Sequence, residues 1–209
     1  MTSTPLTLIG RSSSTFTRVC RIFATELGLP HGFEVVRNLA SLDAQDYGGN
    51  PALKVPSLRT PQATWFGSLN VCRELVRIAN GRSRVVWPEA LEQPLLANLQ
   101  ELVLQSMSTE VGLIMSSMAA QPIDTFHRAK MIQSLTNTLS WLDANVGLAL
   151  AALPPERDLS YLEVSLFCLV AHLDFRGVLT TAPYSELVAF TERFGARPAC
   201  AATEYQFDI

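Results

Sequence analysis

The hydrophobic and polar positions in the first part of the chain predict short strands that alternate with helices. Residues 6–10 form an apolar run ending at Gly10, which is typical of a buried strand. Across residues 16–27 the apolar positions have helical spacing, and Gly28 is a natural helix end. Residues 33–36 predict a second strand. The remaining elements predicted in this part are strands at 57–58 and 63–66 and a helix at 69–79.

This order of elements, a β-α-β unit followed by a β-hairpin and a helix, is the pattern of a thioredoxin-like α/β domain. The first two strands should be parallel, because a helix joins them, and this crossover should be right-handed. Val55-Pro56 precedes the hairpin, where the proline sits at the beginning of a strand and removes no bond from the sheet ladder. The dipeptide is therefore a candidate for a cis peptide bond.

After Asn80 the pattern changes from strands to helices. Residues 81–88 predict a linker, and no convincing strand follows them. Predicted helices occupy 92–120 (starting near Pro94), 125–145, 160–176 and 184–194. Residues 146–157 predict a loop that ends in a Pro-Pro pair, and Arg197 starts a last short turn. The expected organisation is a thioredoxin-like α/β domain at 1–80, a linker at 81–88 and an all-α helical bundle at 89–209.

The helix predicted at residues 160–176 has the clearest start signal in the chain. Ser160 and Glu163 form a capping box, in which each side chain satisfies the backbone N–H of the other residue. Leu159 and Val164 occupy the two positions of a hydrophobic staple. Apolar residues then run through the length of the segment, which predicts a central, buried helix.

Composition narrows the class of protein. The chain has 209 residues, of which 48% are hydrophobic and 17% charged, and its net charge is -3. These values are typical of a globular protein, and the basic residues form no concentrated face that would bind nucleic acid. No apolar run approaches the roughly 20 residues of a membrane span. The first residues also lack the basic start and apolar core of a signal peptide. We therefore expect a cytoplasmic protein with neither nucleic-acid nor membrane partners.

The cysteines and histidines do not form a recognisable site in the sequence. The cysteines are widely separated and include no C-x-x-C motif: Cys20, Cys72, Cys168 and Cys200. The histidines have no partner pattern either, which predicts surface or core positions for them: His31, His127 and His172. Neither a metal site nor a disulfide framework is expected from these spacings.

Four stretches, in this order and at family spacing, resemble the cytosolic glutathione transferase family. The resemblance covers nearly the whole chain. Residues 14–22 (STFTRVCRI) resemble the S-P-F-x-R-K-V start of the first helix, and residues 50–58 (NPALKVPSL) resemble the N-P-x-G-K-V-P-x-L loop with its cis proline. Residues 158–176 resemble the capping-box helix of the family, and residues 196–199 (ARPA) resemble its C-terminal signature.

Three positions depart from the family pattern. Thr15 stands where a proline is usual, and Leu53 replaces the glycine of the N-P-x-G-K-V-P loop. Gly67 stands before Ser68, where the family usually has Glu, Gln or Asp to help hold the γ-glutamyl group. Because glycine offers the ammonium of that group no charged partner, the departure at Gly67 predicts weak glutathione binding, unless the partner subunit supplies a carboxylate. Glu101, on the first long helix, is the candidate for that role.

The resemblance implies that Ser14 stabilises the thiolate of glutathione, which is the nucleophile in conjugation. A hydroxyl that donates a hydrogen bond to the sulfur contributes about 1.5–3 kcal/mol, which corresponds to about 1–2 pKa units. The N-terminus of a helix adds about 0.3–1 kcal/mol for an adjacent anion. The alternative for Ser14 is an ordinary helix cap. Because the register of the serine run is open, Ser12 and Ser13 are alternatives for the thiolate contact.

The resemblance also implies a binding site for the rest of glutathione. Ser68, at a helix N-terminus, would bind the γ-glutamyl carboxylate, although a helix cap is an equal alternative. Val55, before Pro56, would pair its backbone with the cysteinyl part, as edge strands do with peptides. Lys54 would meet the glycyl carboxylate, or lie exposed in solvent.

For the second substrate the sequence predicts only an apolar pocket. Its candidate lining residues are Met107, Val111, Ile114 and Met115, because methionine adapts to irregular apolar ligands. The implied protein is a homodimeric glutathione transferase that uses glutathione as co-substrate, uses no metal, and conjugates small hydrophobic electrophiles. One alternative is a catalytically silent protein of the same fold that binds or regulates. A thiol-disulfide oxidoreductase is disfavoured because a serine stands where that chemistry needs a cysteine.

Overall fold

The computed structural model describes residues 6–81, 83–118 and 124–208. They divide into two units. The first unit holds the described residues up to Arg84 together with those from Ala196 onward, and the second holds Val85–Gly195. This grouping assigns the residues from Ala196 onward to the α/β unit, whereas the predicted limits of 89–209 join them to the helical bundle.

The elements follow one another in the order that the sequence predicts, with one additional pair of short strands. In the first part of the chain they are β1 (Leu6–Gly10), α1 (Thr15–Glu26), β2 (His31–Val35), β3 (Ser57–Arg59), β4 (Thr64–Phe66) and α2 (Ser68–Ile78). In the second part they are β5 (Val85–Val86), α3 (Pro94–Met118), α4 (Thr125–Ala152), β6 (Leu159–Ser160), α5 (Tyr161–Arg176), α6 (Ser185–Gly195) and α7 (Pro198–Ala201). Short 3-10 turns lie at Ala44–Tyr47 and Pro88–Ala90.

The sheet of the first unit has the strand order β2-β1-β3-β4. β1 and β2 are parallel, as expected for strands joined by a helix, and β3 is antiparallel to both β1 and β4. The Val55-Pro56 bond that precedes β3 is cis. The predicted α/β fold class, its β-α-β unit and its hairpin are therefore confirmed.

The core of the first unit lies on both faces of this sheet. Side chains alternate along a strand, so the buried neighbours Leu8 and Ile9 of β1 point to opposite faces. On one side α1 and α2 pack against each other through fully buried apolar residues. On the other side Ile9 packs against Val36 and Tyr47, while the Tyr47 hydroxyl donates to the carbonyl of Leu39.

In its described residues the second unit consists of four helices and one short pair of strands. α3 packs against α4 and α5, and α6 packs against both α4 and α5. α5 is the central helix, because nearly every residue of its first three turns is buried. The side chain of Ser160 caps it by accepting from the N–H of Glu163, at 3.4 Å. The carboxylate of Glu163 turns instead to Arg157 and accepts two hydrogen bonds of 2.7 Å from it.

Two predicted connections differ from the structure. The predicted loop at 146–157 is helical as far as Ala152, because alanine and leucine favour a helix strongly enough to offset one glycine. The helix ends where Leu153, the residue before Pro154, takes extended backbone. The predicted linker at 81–88 contains β5, which pairs with β6 in parallel. The end of the helix predicted at 92–120 falls on residues 119–120, which lie outside the described residues.

No helix in the described parts of the chain combines the length and hydropathy needed to cross a membrane.

Candidate functional site

Three loops of the first unit leave the sheet at the same end. Ile9 of β1 lies opposite Ser57 of β3, and Ser57 lies opposite Phe66 of β4. The end of β1, the start of β3 and the end of β4 are therefore neighbours. The segments that adjoin these points are residues 11–14, which we call the serine turn, Val55-Pro56 and Gly67-Ser68. The strand register thus brings together the stretches that the sequence singled out.

The serine turn ends in the cap of α1. The N–H of Ser14 donates to the carbonyl of Arg11 at 3.1 Å, which closes the turn. The Oγ of Ser14 accepts from the N–H of Thr17 at 3.2 Å, so Ser14 is the N-cap of α1. Accepting this bond leaves the hydroxyl hydrogen for another acceptor. The capping role and the predicted thiolate contact are therefore compatible. Of the other two serines of the turn, Ser12 is buried and Ser13 is half-buried.

The loop before β3 is ordered by Asn50. Its side-chain amide donates to the carbonyl of Lys54 at 2.7 Å, and its side-chain oxygen accepts from the N–H of Ala52 at 3.0 Å. These bonds turn the chain so that Val55 is presented ahead of the strand. In the part of the chain that the structure describes, neither the N–H nor the carbonyl of Val55 has a hydrogen-bond partner. A backbone of this kind can pair with an extended peptide.

Leu53 lies in the same loop and has a φ of 53°. Positive φ is uncommon for a residue with a side chain and is the conformation that glycine adopts without strain. The position where the family pattern has a glycine therefore keeps its backbone conformation in this chain. The Leu53 side chain packs on the cluster of Ile9, Val36 and Tyr47, which offsets part of the strain.

Gly67 and Ser68 form the start of α2. Gly67 has φ 80° and ψ 145° and makes no side-chain cap, while its N–H donates to the carbonyl of Pro56 at 3.1 Å. Ser68 is 7% exposed. The Cys20 thiol donates to the Ser68 carbonyl at 3.6 Å and lies 3.9 Å from the Cys72 sulfur. The position of α2 against α1 is thus fixed directly beside Ser68.

The other predicted site residues differ in exposure. Lys54 is exposed, as expected for a residue that meets a ligand or solvent. Of the predicted pocket residues, all on α3 of the second unit, Met107 is fully buried, Val111 and Ile114 are half-buried, and Met115 is 42% exposed. The role of these residues stays a prediction.

The cysteine thiols are free and buried at all four positions. Burial raises the pKa of Cys200 to about 11, so this thiol is protonated at neutral pH and is not a nucleophile. Among the described residues, no three His, Cys, Asp or Glu side chains are close enough together to hold a metal ion.

Two features of the structure have no signal in the sequence pattern. Asp208 reaches the serine turn, where its carboxylate accepts from the N–H of Ser12 at 2.9 Å. In the second unit His172 is buried 2.8 Å from the carboxylate of Glu110, although the sequence offered no partner for it. Both contacts join residues far apart in the chain, and a local pattern cannot indicate them.

A family model described as the N-terminal domain of glutathione S-transferase matches residues 13–78. A comparison with curated proteins found no match. Similar solved structures include a glutathione S-transferase from Methylobacterium radiotolerans in complex with glutathione sulfonate (18% identity, 99% of this chain, 98% of that chain, TM-score 0.73). They also include one from Methylobacillus flagellatus with bound glutathione (18% identity, 96% of this chain, 100% of that chain, TM-score 0.75).

A third similar structure is poplar glutathione transferase F1, with 16% identity over 96% of this chain and 97% of that chain and a TM-score of 0.69. The three likenesses extend over both units and show a shared fold. Residues 13–78 therefore match the N-terminal domain of the glutathione S-transferases, and the chain as a whole has the fold of these glutathione transferase structures.

Proposed function

We propose that the protein is a glutathione transferase that conjugates the thiolate of glutathione to small hydrophobic electrophiles. The observation that carries this proposal is the common position of the serine turn, Val55-Pro56 and Gly67-Ser68 at one end of the sheet. Two proteins of the same fold were determined with glutathione or its sulfonate bound, which supports a glutathione site in this fold.

In the proposed reaction Ser14 stabilises the thiolate. Its hydroxyl oxygen already accepts from Thr17, so its hydrogen can donate to the sulfur. A hydrogen bond to a charged acceptor contributes about 1.5–3 kcal/mol. This lowers the pKa of a thiol by about 1–2 units from its usual 8.5, and the thiol proton passes to solvent. The sulfur then attacks the electrophilic carbon: a C–S bond forms and, with an aryl halide, the halide leaves with the electrons of the C–halogen bond.

The rest of glutathione would lie along the neighbouring loops. Val55, whose backbone groups have no partner in the described chain, would pair with the cysteinyl part. Ser68 would bind the γ-glutamyl carboxylate at the N-terminus of α2. The exposed Lys54 would meet the glycyl carboxylate.

The remaining parts of the proposal rest on the family resemblance. The electrophile pocket would include Met107, Val111, Ile114 and Met115, with the partly exposed Met115 as the member most open to a ligand. We expect a cytoplasmic homodimer with a role in detoxification. The competing function is a catalytically silent binding or regulatory protein of the same fold, for which the missing acidic residue at Gly67 is the specific observation.

A calorimetric titration followed by an activity assay tests the proposed function. Glutathione is titrated into the protein, and turnover of glutathione with a generic aryl halide is then measured. Binding with turnover supports the transferase. Binding without turnover favours the silent binding protein, and the absence of both overturns every function that depends on glutathione.

A further inference from the structure

Residues 203–208 of the first unit, which we call the closing segment, run back to the serine turn. The carboxylate of Asp208 accepts from the N–H of Ser12 at 2.9 Å and lies 3.7 Å from the Nε of Arg11. The Asp208 side chain is only 8% exposed. A hydrogen bond between a backbone N–H and a carboxylate is charge-assisted and is among the stronger kinds in proteins.

The same turn is held from its other side by the Arg11 side chain. Its Nη1 donates to the carbonyls of Val36 and Arg37, at 3.0 and 3.1 Å. The Arg11 guanidinium therefore links the turn to the residues that follow β2, and Asp208 links the turn to the closing segment. The turn begins at Arg11 and Ser12, the two adjacent residues through which these links are made.

The closing segment is itself fixed on α1. The ring of Tyr205 lies over the guanidinium of Arg18, 4.2 Å from its carbon, and Arg18 also donates to the carbonyl of Cys200 at 3.1 Å. The hydroxyl of Thr203 donates to the carbonyl of Ala199 at 2.7 Å. These contacts hold the closing segment against α1 ahead of Asp208.

We propose that Asp208 is a positioning residue for the thiolate-binding serine of the proposed transferase. The Asp208 carboxylate fixes the N–H of Ser12, and with it the direction in which the two following serine hydroxyls point. A hydrogen bond to sulfur weakens steeply when its angle departs from linearity. A turn that is free to move would therefore stabilise the thiolate less. This inference rests on the proposed function, since it assigns a role in that reaction.

Two variants separate positioning from the effect of a nearby charge. Asp208→Asn keeps an oxygen that can accept from Ser12 but removes the negative charge, whereas Asp208→Ala removes both. A nearby negative charge disfavours a thiolate. If Asp208 acted only through its charge, both variants would lower the pKa of the bound thiol. If it positions the turn, Asp208→Ala raises that pKa while Asp208→Asn does not.

The experiment measures amide hydrogen exchange of the serine turn without glutathione, and the pH-rate profile with an aryl halide. In Asp208→Ala we expect the Ser12 amide to exchange about tenfold faster or more. We also expect kcat/KM to fall about ten- to hundred-fold, with a higher thiol pKa. In Asp208→Asn the exchange rate of the Ser12 amide and kcat/KM should both stay close to those of the wild-type protein. Glu204→Ala, which changes an exposed residue of the same segment, is the matched control. Its Ser12 exchange rate, kcat/KM and thiol pKa should equal those of the wild-type protein.

The outcomes distinguish this inference from the proposed function. If the wild-type protein neither binds glutathione nor turns it over, the proposed function fails, and the positioning role fails with it. If the wild-type protein is active but Asp208→Ala leaves Ser12 exchange or the thiol pKa unchanged, only the positioning role is overturned. A lowered thiol pKa in both variants also overturns it. Melting temperatures show whether Asp208→Ala is folded, and Asp208→Asn provides the test if it is not.

Discussion

The carboxylate of Glu110 on α3 lies 2.8 Å from Nδ1 of His172 on α5, and both side chains are buried. Within the described chain the second carboxylate oxygen of Glu110 has no hydrogen-bond partner. Burial raises the pKa of Glu110 above its usual range, and this effect exceeds the opposite influence of His172 and Arg176. Ionisation of Glu110 therefore destabilises the folded second unit.

This relationship predicts a pH-dependent gain in stability for Glu110→Gln. Because the folded pKa is above the unfolded one, the folded state binds more protons between the two values, and stability falls as pH rises through that window. Glutamine has no such titration. The free energy of unfolding of Glu110→Gln should therefore rise relative to the wild-type protein as pH increases. The rise should reach about 1.4 kcal/mol for each unit by which the folded pKa is raised.

Urea unfolding at a series of pH values between about 4.5 and 8 measures this difference. Glu101→Gln is the matched control, because Glu101 lies on the same helix and is exposed. Its difference from the wild-type protein should stay nearly constant with pH. A difference for Glu110→Gln that shrinks as pH rises would mean that the ion pair with His172 stabilises the carboxylate after all.

The cap of α5 gives a prediction for stability alone. Ser160→Ala removes the acceptor of the Glu163 N–H, and the lost cap should destabilise the protein by about 0.5–2 kcal/mol. Ser140→Ala, on the exposed face of α4, is a control for replacing a serine in a helix of the same unit. Chemical denaturation gives the two energies. The proposed activity per folded molecule should stay at the wild-type level, and a loss of activity at full stability contradicts the structural assignment.

The start of α5 also shows why part of this fold can be predicted from sequence. Ser160 and Glu163 are three positions apart, so their cap depends only on neighbours in the chain, and the helix begins where the pattern predicts. The cis Val55-Pro56 bond is local in the same sense, because an X-Pro bond prefers trans over cis by much less free energy than other peptide bonds do. The parallel pairing of β1 and β2 follows from the helix that joins them.

Contacts between residues that are far apart in the chain cannot be predicted from the local sequence pattern. Asp208 and Ser12 are 196 positions apart, and nothing near either residue indicates the other. At Glu163 the pattern fails for a different reason, because the competing partner is only six positions away. The capping box predicts a bond to the Ser160 N–H, but the carboxylate makes the stronger bidentate pair with Arg157. For the serine run, three residues of one type give identical local signals, so only tertiary contacts can decide their directions.

Ser14 is predicted to act both as a cap and in the proposed catalysis. Ser14→Ala should lower turnover at neutral pH about ten- to hundred-fold and raise the pKa of the bound thiol. It should also lose about 0.5–2 kcal/mol of stability with the cap. Ser14→Asp separates the effects, because its carboxylate accepts from Thr17 but gives the sulfur no donor. It should restore stability without restoring turnover.

Melting curves and pH-rate profiles of the two Ser14 variants are the required measurements. Should Ser14→Ala lose stability while its pH-rate profile stays that of the wild-type protein, Ser14 is a cap only. The same measurements on Ser13→Ala and Ser12→Ala then identify the serine that contacts the thiol.

The backbone of Gly67 restricts what can replace it. With φ 80° and ψ 145°, it lies close to a region that is almost exclusive to glycine. An added Cβ would have no heavy atom within 4 Å, so the strain of a substitution comes from the backbone and not from a clash. Gly67→Ala should therefore destabilise the protein by about 1–3 kcal/mol.

Gly67→Glu adds a carboxylate to the same strained backbone, so Gly67→Ala is its matched control. The position is exposed, and an exposed ion pair contributes up to about 1 kcal/mol. If the ammonium of the γ-glutamyl group lies beside this residue, Gly67→Glu should bind glutathione up to about fivefold more tightly than Gly67→Ala. Both variants should melt at similar, lowered temperatures, because they share the backbone strain.

Calorimetric titration with glutathione and melting curves of the two variants measure these differences in affinity and stability. Equal affinities in the two variants would mean that no ammonium binds beside Gly67, and that the glycine is required for its backbone alone.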